Sequence, residues 1–330
     1  MNAVQVTRFG DPSALALVEL PDPTPRPGEI AIDVTHAAVG LIDLFFRQGV
    51  YRDQPGMPQP PFVPGLEVAG TVRSLGVGVV GFAVGERVVS MSAGGGTGGY
   101  ASVYVGPAGA VLSTEGYDID PALAVAAIPN AAMAHVALSE VARLAPGESV
   151  LVHGALGGFA AAFPGMAKQL GASRVVGTVR ASKLTTASTT KLPYDRVVDS
   201  ADMLSSLADE RFDVVIDAVG GVVRTQSLDL MAPGGRLLAA GNASGDWEHR
   251  IDSNQLWSRN LTVSGFNAGA YLPAHPDRVR PALEAARATV AAGLVDTEID
   301  LLPFSEAVTA HERMESRTLD GRIVLTPASV

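Results

Sequence analysis

A run of small residues near the middle of the chain has the spacing of a phosphate-binding turn. Ser149–His153 predicts a buried parallel strand, and Gly154, Gly157, Gly158 and Ala160 follow it in the pattern G-x-x-G-G-x-A. A helix-compatible segment and a second apolar run complete a predicted β-α-β unit. Glycines let a dinucleotide diphosphate approach the backbone N–H groups at a helix N-terminus. A tight turn without a ligand is the alternative, but the whole unit favours dinucleotide binding.

The end of the second apolar run indicates which dinucleotide would bind. This strand, predicted over Arg174–Thr178, leads into Arg180, Ser182 and Lys183 without an acidic residue. Sites for NAD usually place an acid there to hold the ribose hydroxyls, whereas sites for NADP place cations near the 2′-phosphate. The sequence therefore predicts NADPH. The alternative is that the two cations belong to a solvated loop.

The composition excludes several other classes of function. The 330 residues carry a formal charge of −10 without a run of Lys and Arg, so we expect no nucleic-acid binding. The chain has no cysteine, which excludes disulfides, a thiolate nucleophile and cysteine-ligated zinc. It also lacks the G-x-S-x-G motif of a hydrolase. No charged leader and no apolar run of roughly eighteen residues stands out, so we expect a cytoplasmic protein without membrane association.

Two kinds of pattern divide the chain and predict an α/β protein. Up to about residue 111, short strand-like runs alternate with turn clusters, which predicts an antiparallel barrel or curled sheet. From residue 121, an alanine-rich helical segment precedes buried strands separated by helix-length segments, which predicts a doubly wound parallel sheet. The predicted strands outside the β-α-β unit are Ala3–Val6, Leu15–Leu20, Glu29–Val39, Val68–Leu75, Arg87–Ser90, Tyr100–Val105, Ala110–Leu112, Arg196–Val198, Phe212–Asp217, Gly235–Gly241, Leu261–Gly265 and Arg322–Thr326. The predicted late helices are Asp277–Ala292 and Ser305–Glu315.

Several motifs together resemble one known family. They are Phe62–Gly70, Gly98–Ala101, Arg143–Gly154, Phe212–Gly221, Pro233–Gly241 and Glu315–Leu325. With the glycine turn, they resemble the medium-chain dehydrogenase/reductase superfamily, and more narrowly its zinc-independent quinone oxidoreductase branch, near the enoyl reductases of polyketide synthesis. The resemblance runs nearly end to end.

The resemblance implies a Rossmann doubly wound parallel sheet plus a GroES-like β-barrel domain. The implied bounds are 1–120 for the first part of the GroES-like catalytic domain, 121–266 for the Rossmann domain and 267–330 for the part that completes the catalytic domain. An active cleft between the domains, a small-molecule substrate and a homodimer paired through the edge strand near Leu261–Gly265 are also implied.

The resemblance further implies hydride transfer without a metal. Zinc-dependent relatives need a cysteine in the stretch that is Ala38–Leu44 here and a histidine where Leu66 stands. The implied reaction is therefore reduction of a quinone or an α,β-unsaturated carbonyl compound by NADPH. Asp43 and Tyr51 fall where this branch places polar residues near the nicotinamide, and Tyr51 is a candidate proton donor. The alternatives are a packed loop aromatic for Tyr51 and a helix-capping or loop acid for Asp43.

A wider set of residues is predicted to contact NADPH. The predicted set is Gly154, Gly157, Gly158, Phe159, Ala160, Thr178, Arg180, Ser182, Lys183, Val219, Gly241, Asn242, Phe266, Asn267 and Arg317. His153 matches the family and is predicted to be structural rather than catalytic.

Some residues depart from the family pattern. Ala160 replaces the third glycine of the turn, and Pro164 falls inside the helix that should follow, so this helix is expected to kink or restart. Gly40 stands where the branch usually has an asparagine, and the segment 183–191 is a poor helix former. These departures keep a second hypothesis open, in which the fold persists without redox turnover and the protein binds NADPH, interacts with a partner or performs a non-redox biosynthetic step.

Overall fold

The structure is a computed structural model that describes residues 1–92, 98–316, 319 and 321–327. The chain divides into two compact units. The first unit comprises Met1–Pro129, Leu272–Arg287 and Thr297–Val330, and the second comprises Asn130–Tyr271 and Ala288–Asp296. These divisions fall after residues 129 and 271, whereas the sequence predicts domain boundaries after 120 and 266, so the predicted boundaries stay a prediction.

The helices and strands follow one another along the chain as short elements. From the N-terminus they are β1 (Asn2–Val6), β2 (Leu15–Glu19), β3 (Glu29–Ala38), α1 (Leu41–Gln48), β4 (Glu67–Leu75), β5 (Arg87–Met91), β6 (Val103–Pro107), β7 (Val111–Ser113) and α2 (Pro121–Val136). The next elements are β8 (Ser149–His153), α3 (Phe163–Gln169), β9 (Arg174–Val179), α4 (Leu184–Thr189), β10 (Arg196–Asp199), α5 (Met203–Ser206), β11 (Phe212–Asp217), α6 (Val222–Ser227), β12 (Met231–Ala239), α7 (Ser253–Arg259) and β13 (Thr262–Gly265). The last elements are α8 (Ala268–Ala274), α9 (Val279–Ala291), β14 (Ile299–Pro303), α10 (Ala307–Glu315) and β15 (Arg322–Thr326).

The first unit is built on a sheet with the strand order β14-β15-β3-β4-β5-β7, and β6 also pairs with β3. Apart from the parallel pair β14–β15, its strands run antiparallel. The alternation of apolar and polar residues in β3 buries Ile30, Ile32 and Val34 in one cluster with Phe304 and Ile323. The antiparallel sheet predicted from the strand spacing is confirmed, whereas β14 was not predicted.

The second unit is built on a parallel sheet with the strand order β10-β9-β8-β11-β12-β13. This order reverses between β8 and β11, which is the arrangement of doubly wound nucleotide-binding sheets. His153 at the end of β8 pairs in register with Asp217 at the end of β11. The predicted doubly wound parallel sheet is confirmed, and its ligand-binding edge is the one where β8 and β11 end.

Helix α2 begins an apolar segment of the length that the sequence was not expected to contain. Together with a following π-helical turn it forms Pro121–Val141, which is long and apolar enough by length and composition to cross a membrane. However, 78% of its most apolar window is buried in the structure, as in the core helix of a soluble protein. The sequence predicts this helix, but polar residues such as Asn130 and His135 interrupt its apolar run.

Candidate functional site

Glycine is favoured at two positions of the turn after β8. Gly154 has φ +69°, and a Cβ atom there would lie 3.2 Å from Cγ2 of Val219. A Cβ atom on Gly157 would lie 3.1 Å from the carbonyl oxygen of Gly154. Because both contacts are tight, the glycines let the backbone fold closely at the end of β8. The glycine turn that the sequence predicts after this strand is therefore present.

The same turn leaves backbone donors unused. The Gly157 N–H donates to the Gly154 carbonyl at 2.7 Å, and the Ala161 N–H donates to the Gly157 carbonyl at 2.8 Å. In contrast, the N–H groups of Gly158, Phe159 and Ala160 make no hydrogen bond within the part of the chain that the structure describes. Consecutive unused N–H groups beside a helix start are suited to bind an anion. The turn therefore fits the diphosphate of a dinucleotide.

Two side chains that the sequence analysis did not identify bind the carbonyl groups of this turn. Asn130 Nδ2 donates to the Gly158 carbonyl at 3.1 Å. The Tyr194 hydroxyl donates to the Ala155 carbonyl at 2.9 Å and lies 3.4 Å from the Ala160 carbonyl. No local sequence pattern signals these contacts, because each joins residues that are 28 to 39 positions apart.

The helix after the turn restarts where the sequence predicts. A short 3-10 segment covers Ala160–Ala162, and α3 then begins at Phe163 with Pro164 among its first two residues. Proline is tolerated there because the first N–H groups of a helix have no partner within the helix. A Cβ atom on Gly165 would lie only 2.1 Å from the Leu294 carbonyl oxygen, so glycine is required by this close approach. The proline at 164 is thus explained by its place at the start of the helix, and the glycine at 165 by packing.

The two phenylalanines of this segment do not collapse into the turn. Phe163 is fully buried in the unit, whereas Phe159 is partly exposed. Their rings pack edge to face with centroids 5.0 Å apart. Phe159 therefore presents its backbone N–H in the turn while its ring packs on α3.

A buried hydrogen-bonded chain crosses the sheet at the end of β8. His153 Nε2 lies 2.7 Å from Ser227 Oγ, and His153 Nδ1 lies 2.8 Å from Thr178 Oγ1. Since the Ser227 hydroxyl donates to the Val223 carbonyl at 2.6 Å, it accepts from His153 Nε2–H, and the Thr178 hydroxyl donates to Nδ1. Burial lowers the pKa of His153 to about 4, which keeps it neutral. This supports a structural role for His153. The hydroxyl of Thr178, a predicted cofactor residue, belongs to the same series of hydrogen bonds.

The predicted 2′-phosphate residues lie just beyond the end of β9. Arg180 and Ser182 are exposed and Lys183 is partly exposed. A short 3-10 turn brings the three together, with the Lys183 N–H donating to the Arg180 carbonyl at 2.8 Å. The segment after it forms α4, although its composition predicts a poor helix.

Residues at the ends of β11 and β12 are joined through Asp217 and Arg224. The fully buried Asp217 accepts hydrogen bonds from the Val219 N–H at 2.8 Å and from Arg224 Nε at 2.5 Å. Arg224 Nη2 in turn donates to the Gly241 carbonyl at 2.7 Å. Cγ2 of Val219 lies 3.2 Å from the place where a Cβ atom on Gly154 would stand. The structure thus brings the predicted cofactor residues Gly154, Val219 and Gly241 to one edge of the sheet.

The next residues along this edge offer one unused donor. Asn242 Oδ1 accepts from Ser244 Oγ at 3.2 Å, while Asn242 Nδ2 is buried without a hydrogen-bond partner among the described residues. Phe266 is buried after β13, and its N–H donates to the Ala239 carbonyl at 2.9 Å. Asn267 is exposed, and its Oδ1 accepts from the Gly269 N–H at 3.0 Å. Asn242 is therefore the best placed of the three to bind a polar ligand group.

In the first unit, the candidate proton donor follows helix α1. Tyr51 is partly buried, with its ring edge to face against Phe45 and Phe46 at centroid distances of 6.1 and 6.0 Å. Burial raises the pKa of Tyr51, so the hydroxyl keeps its proton at neutral pH. This hydroxyl makes no hydrogen bond to another described residue, whereas the ring packs as the alternative hypothesis expected.

Asp43 lies at the start of the same helix and is almost fully buried. Its carboxylate accepts from the Gly40 N–H at 2.8 Å and the Gly65 N–H at 3.1 Å, and the Tyr100 hydroxyl lies 3.3 Å away. Burial raises the pKa of Asp43 to about 7. Since both carboxyl oxygens are engaged, this geometry is that of a helix-capping acid, and Gly40 contributes only its backbone.

The remaining predictions concern Arg317 and a site that does not use zinc. Arg317 and residues 93–97 of the glycine-rich loop lie outside the described residues. Among the described residues, no group of three or more His, Cys, Asp or Glu side chains is arranged to hold a metal ion. Leu66, which stands in the motif where zinc-dependent relatives carry a ligand, packs against the apolar core of the first unit. The residues present do not fit a zinc ion.

Comparison with known proteins gives two family matches. Residues 26–115 match the family described as alcohol dehydrogenase GroES-like domain, and residues 170–325 match the family described as zinc-binding dehydrogenase. With the parallel sheet, the first match confirms the predicted fold class, a Rossmann sheet plus a GroES-like domain.

Individual relatives cover almost the whole chain. A synaptic vesicle membrane protein VAT-1 homolog from Danio rerio is 29% identical over 347 residues, covering 98% of this chain and 70% of the relative. A 2-haloacrylate reductase from Burkholderia sp. is 28% identical over 334 residues, covering 98% of each. The structure of Escherichia coli quinone oxidoreductase complexed with NADPH aligns with a TM-score of 0.83 and 26% identity, covering 99% of this chain and 100% of that one.

Proposed function

Because this chain belongs to the medium-chain dehydrogenase/reductase superfamily, in its zinc-independent quinone oxidoreductase branch, we propose that it uses NADPH to reduce a quinone or an α,β-unsaturated carbonyl compound. The names of the reductase and the quinone oxidoreductase above support this reaction class. The observation that carries the proposal is the turn at Gly158–Ala160, whose unused N–H groups lie on the ligand-binding edge of a doubly wound sheet.

The residues of the second unit account for binding. The N–H groups of Gly158 and Phe159, which have no partner among the described residues, would hold the diphosphate. Arg180 and Lys183 bind the 2′-phosphate, with Ser182 as a further donor. Asn242 Nδ2 would donate to a polar group of the bound cofactor, which would give this buried donor the partner that it lacks within the described chain.

The chemistry divides between the cofactor and the chain. Bound NADPH supplies a hydride to the electron-poor carbon of the acceptor. Tyr51 keeps its proton at neutral pH and donates it to the oxygen on which negative charge develops. Asp43 positions α1, which precedes Tyr51, by capping the start of that helix.

The proposal is tested first by binding and then by turnover. Calorimetric titrations with NADPH and NADH are expected to show binding of both, with NADPH tighter. Oxidation of NADPH is then followed with a panel of quinones, enones and enoyl thioesters. The absence of nucleotide binding at millimolar concentrations would contradict the proposal.

Binding without turnover of any acceptor would favour the second hypothesis, a family member that binds NADPH but has lost redox activity. Two observations favour it: Gly40 brings no side chain to the site, and Asp43 is committed to capping. The departure at Pro164 no longer supports it, because the helix restart places the proline where it is tolerated.

A further inference from the structure

We propose that Asn130 and Tyr194 are positioning residues that hold the turn after β8 in its anion-binding conformation before any ligand arrives. This inference deepens the proposed function and rests on it, because the anion is taken to be the dinucleotide diphosphate. Neither residue belongs to the glycine pattern, and both donate to backbone carbonyls of the turn.

Asn130 fixes the peptide group between Gly158 and Phe159. Its side chain is 4% exposed on α2, and Nδ2 donates to the Gly158 carbonyl at 3.1 Å. In a trans peptide, the C=O and the following N–H point in opposite directions. Holding the carbonyl of Gly158 toward Asn130 therefore turns the Phe159 N–H away from Asn130, and this N–H has no partner within the described chain.

Tyr194 binds the residues that enter and leave the turn. Its hydroxyl donates to the Ala155 carbonyl at 2.9 Å and lies 3.4 Å from the Ala160 carbonyl. The ring packs over β9 at Gly177, where a Cβ atom would lie 3.1 Å from Cε1 of Tyr194. Burial raises the pKa of Tyr194 well above its usual value, so the hydroxyl stays protonated and remains a donor.

The turn needs this support because the segment after it holds only part of the turn. In a regular unit, the hydrogen bonds of the following helix fix the peptide groups of the glycine turn. Here α3 begins only at Phe163, and the 3-10 segment Ala160–Ala162 separates it from the glycines. The Ala161 N–H still donates to the Gly157 carbonyl. The Ala155 and Gly158 carbonyls, in contrast, accept from no backbone N–H among the described residues. The buried Asn130 and the partly buried Tyr194 therefore orient these two carbonyls. Donors that are oriented in advance lower the entropic cost of binding an anion.

The test compares three ligands that share the diphosphate. Dissociation constants of NADPH, NADH and ADP-ribose are measured by calorimetry for Asn130→Ala, Tyr194→Phe and the double variant. Each single variant is expected to weaken all three ligands by about fivefold, the value of one neutral hydrogen bond. The ratio of NADPH to NADH affinity is expected to stay unchanged, because neither residue contacts the 2′-phosphate.

A matched control is Tyr104→Phe, which removes the hydroxyl of a tyrosine that is 4% exposed in the first unit. It is expected to leave the three dissociation constants unchanged. A second readout that needs no ligand is amide hydrogen exchange at Phe159, which is expected to change in Asn130→Ala as the peptide loses its fixed orientation.

The possible outcomes separate this inference from the proposed function. If the wild type binds the nucleotides and the variants lose thermal stability but not affinity, the two residues are merely structural and the inference is wrong. A loss confined to NADPH would also overturn it, because the effect would then act through the 2′-phosphate. If the wild type binds none of the ligands, both the inference and the proposed function fail. If the ligands bind with the expected pattern but no acceptor is reduced, only the redox proposal is contradicted.

Discussion

Tyr51 is the residue on which the proposed proton transfer depends. Tyr51→Phe removes the hydroxyl but keeps the edge-to-face contacts with Phe45 and Phe46. We expect kcat to fall about 10²-fold, the usual range for loss of a general acid, while the dissociation constant of NADPH stays unchanged. Steady-state kinetics and calorimetry measure the two quantities. Tyr117→Phe, which keeps its contact with Arg287, is the control. An unchanged kcat would assign Tyr51 to packing alone.

Arg180 and Lys183 are the residues that decide between the two nucleotides. In the double variant Arg180→Ala, Lys183→Ala, NADPH is expected to bind at least about tenfold more weakly, because two charged partners of the 2′-phosphate are lost. NADH lacks this phosphate, so its affinity is expected to change little. Lys191→Ala removes an exposed cation that pairs with Asp296 and serves as the control. Equal losses for both nucleotides would show that the cations act elsewhere.

At the scale of elements, α3 depends on the close approach of residue 294. A Cβ atom on Gly165 would lie 2.1 Å from the Leu294 carbonyl oxygen, so Gly165→Ala forces the two segments apart. We expect it to lower the free energy of unfolding by about 1–3 kcal/mol, measured by urea unfolding. Gly109→Ala, where a Cβ atom meets nothing within 4 Å, is expected to be neutral. Equal stability of both variants would contradict the required glycine at 165.

Helix α1 depends on a capping acid that is costly to ionise. The pKa of Asp43 is raised to about 7 from an ordinary value of 3.8, so between these pH values the folded chain holds a proton that the unfolded chain has lost. The contribution of Asp43 to the free energy of unfolding therefore falls as pH rises from 3.8 to about 7. In Asp43→Asn, the free energy of unfolding is expected to fall less from pH 4 to pH 7 than in the wild type. Urea unfolding at a series of pH values measures this, and parallel curves would contradict the raised pKa.

The elements that the sequence predicts well are those with a local hydrophobic signal. The bounds of β11 and β15 match the prediction, because each is a short apolar run between polar residues. In contrast, α1 and β14 were missed. Helix α1 is short and its capping acid Asp43 is also bound by Gly65, 22 positions away, while β14 depends on pairing with β15. The glycines of the site have a local pattern, whereas Asn130 and Tyr194 reach it only through tertiary contacts, which no spacing rule reveals.

At the scale of the whole molecule, each of the two units contains histidines that resist protonation. The second unit contains His153, whose pKa burial lowers to about 4, and the first contains His311, whose pKa burial and Arg47 lower to about 3. Each unit also has a half-buried histidine, His36 or His135, with a lowered pKa. Between pH 4 and 6.5, the unfolded chain binds protons that these folded histidines do not, so stability falls as pH falls.

Asp43 offsets part of this loss in the first unit only. Its carboxyl keeps a proton in the folded state up to about pH 7, so lowering the pH through the same window stabilises the fold around it. We therefore expect the second unit to lose stability more steeply than the first on acidification from pH 6.5 to pH 4. Hydrogen exchange of the β8 and β3 amides at a series of pH values reports the two units separately. In Asp43→Asn, β3 is expected to lose protection on acidification as steeply as β8. Equal loss in both units of the wild type would show that Asp43 does not titrate in this window.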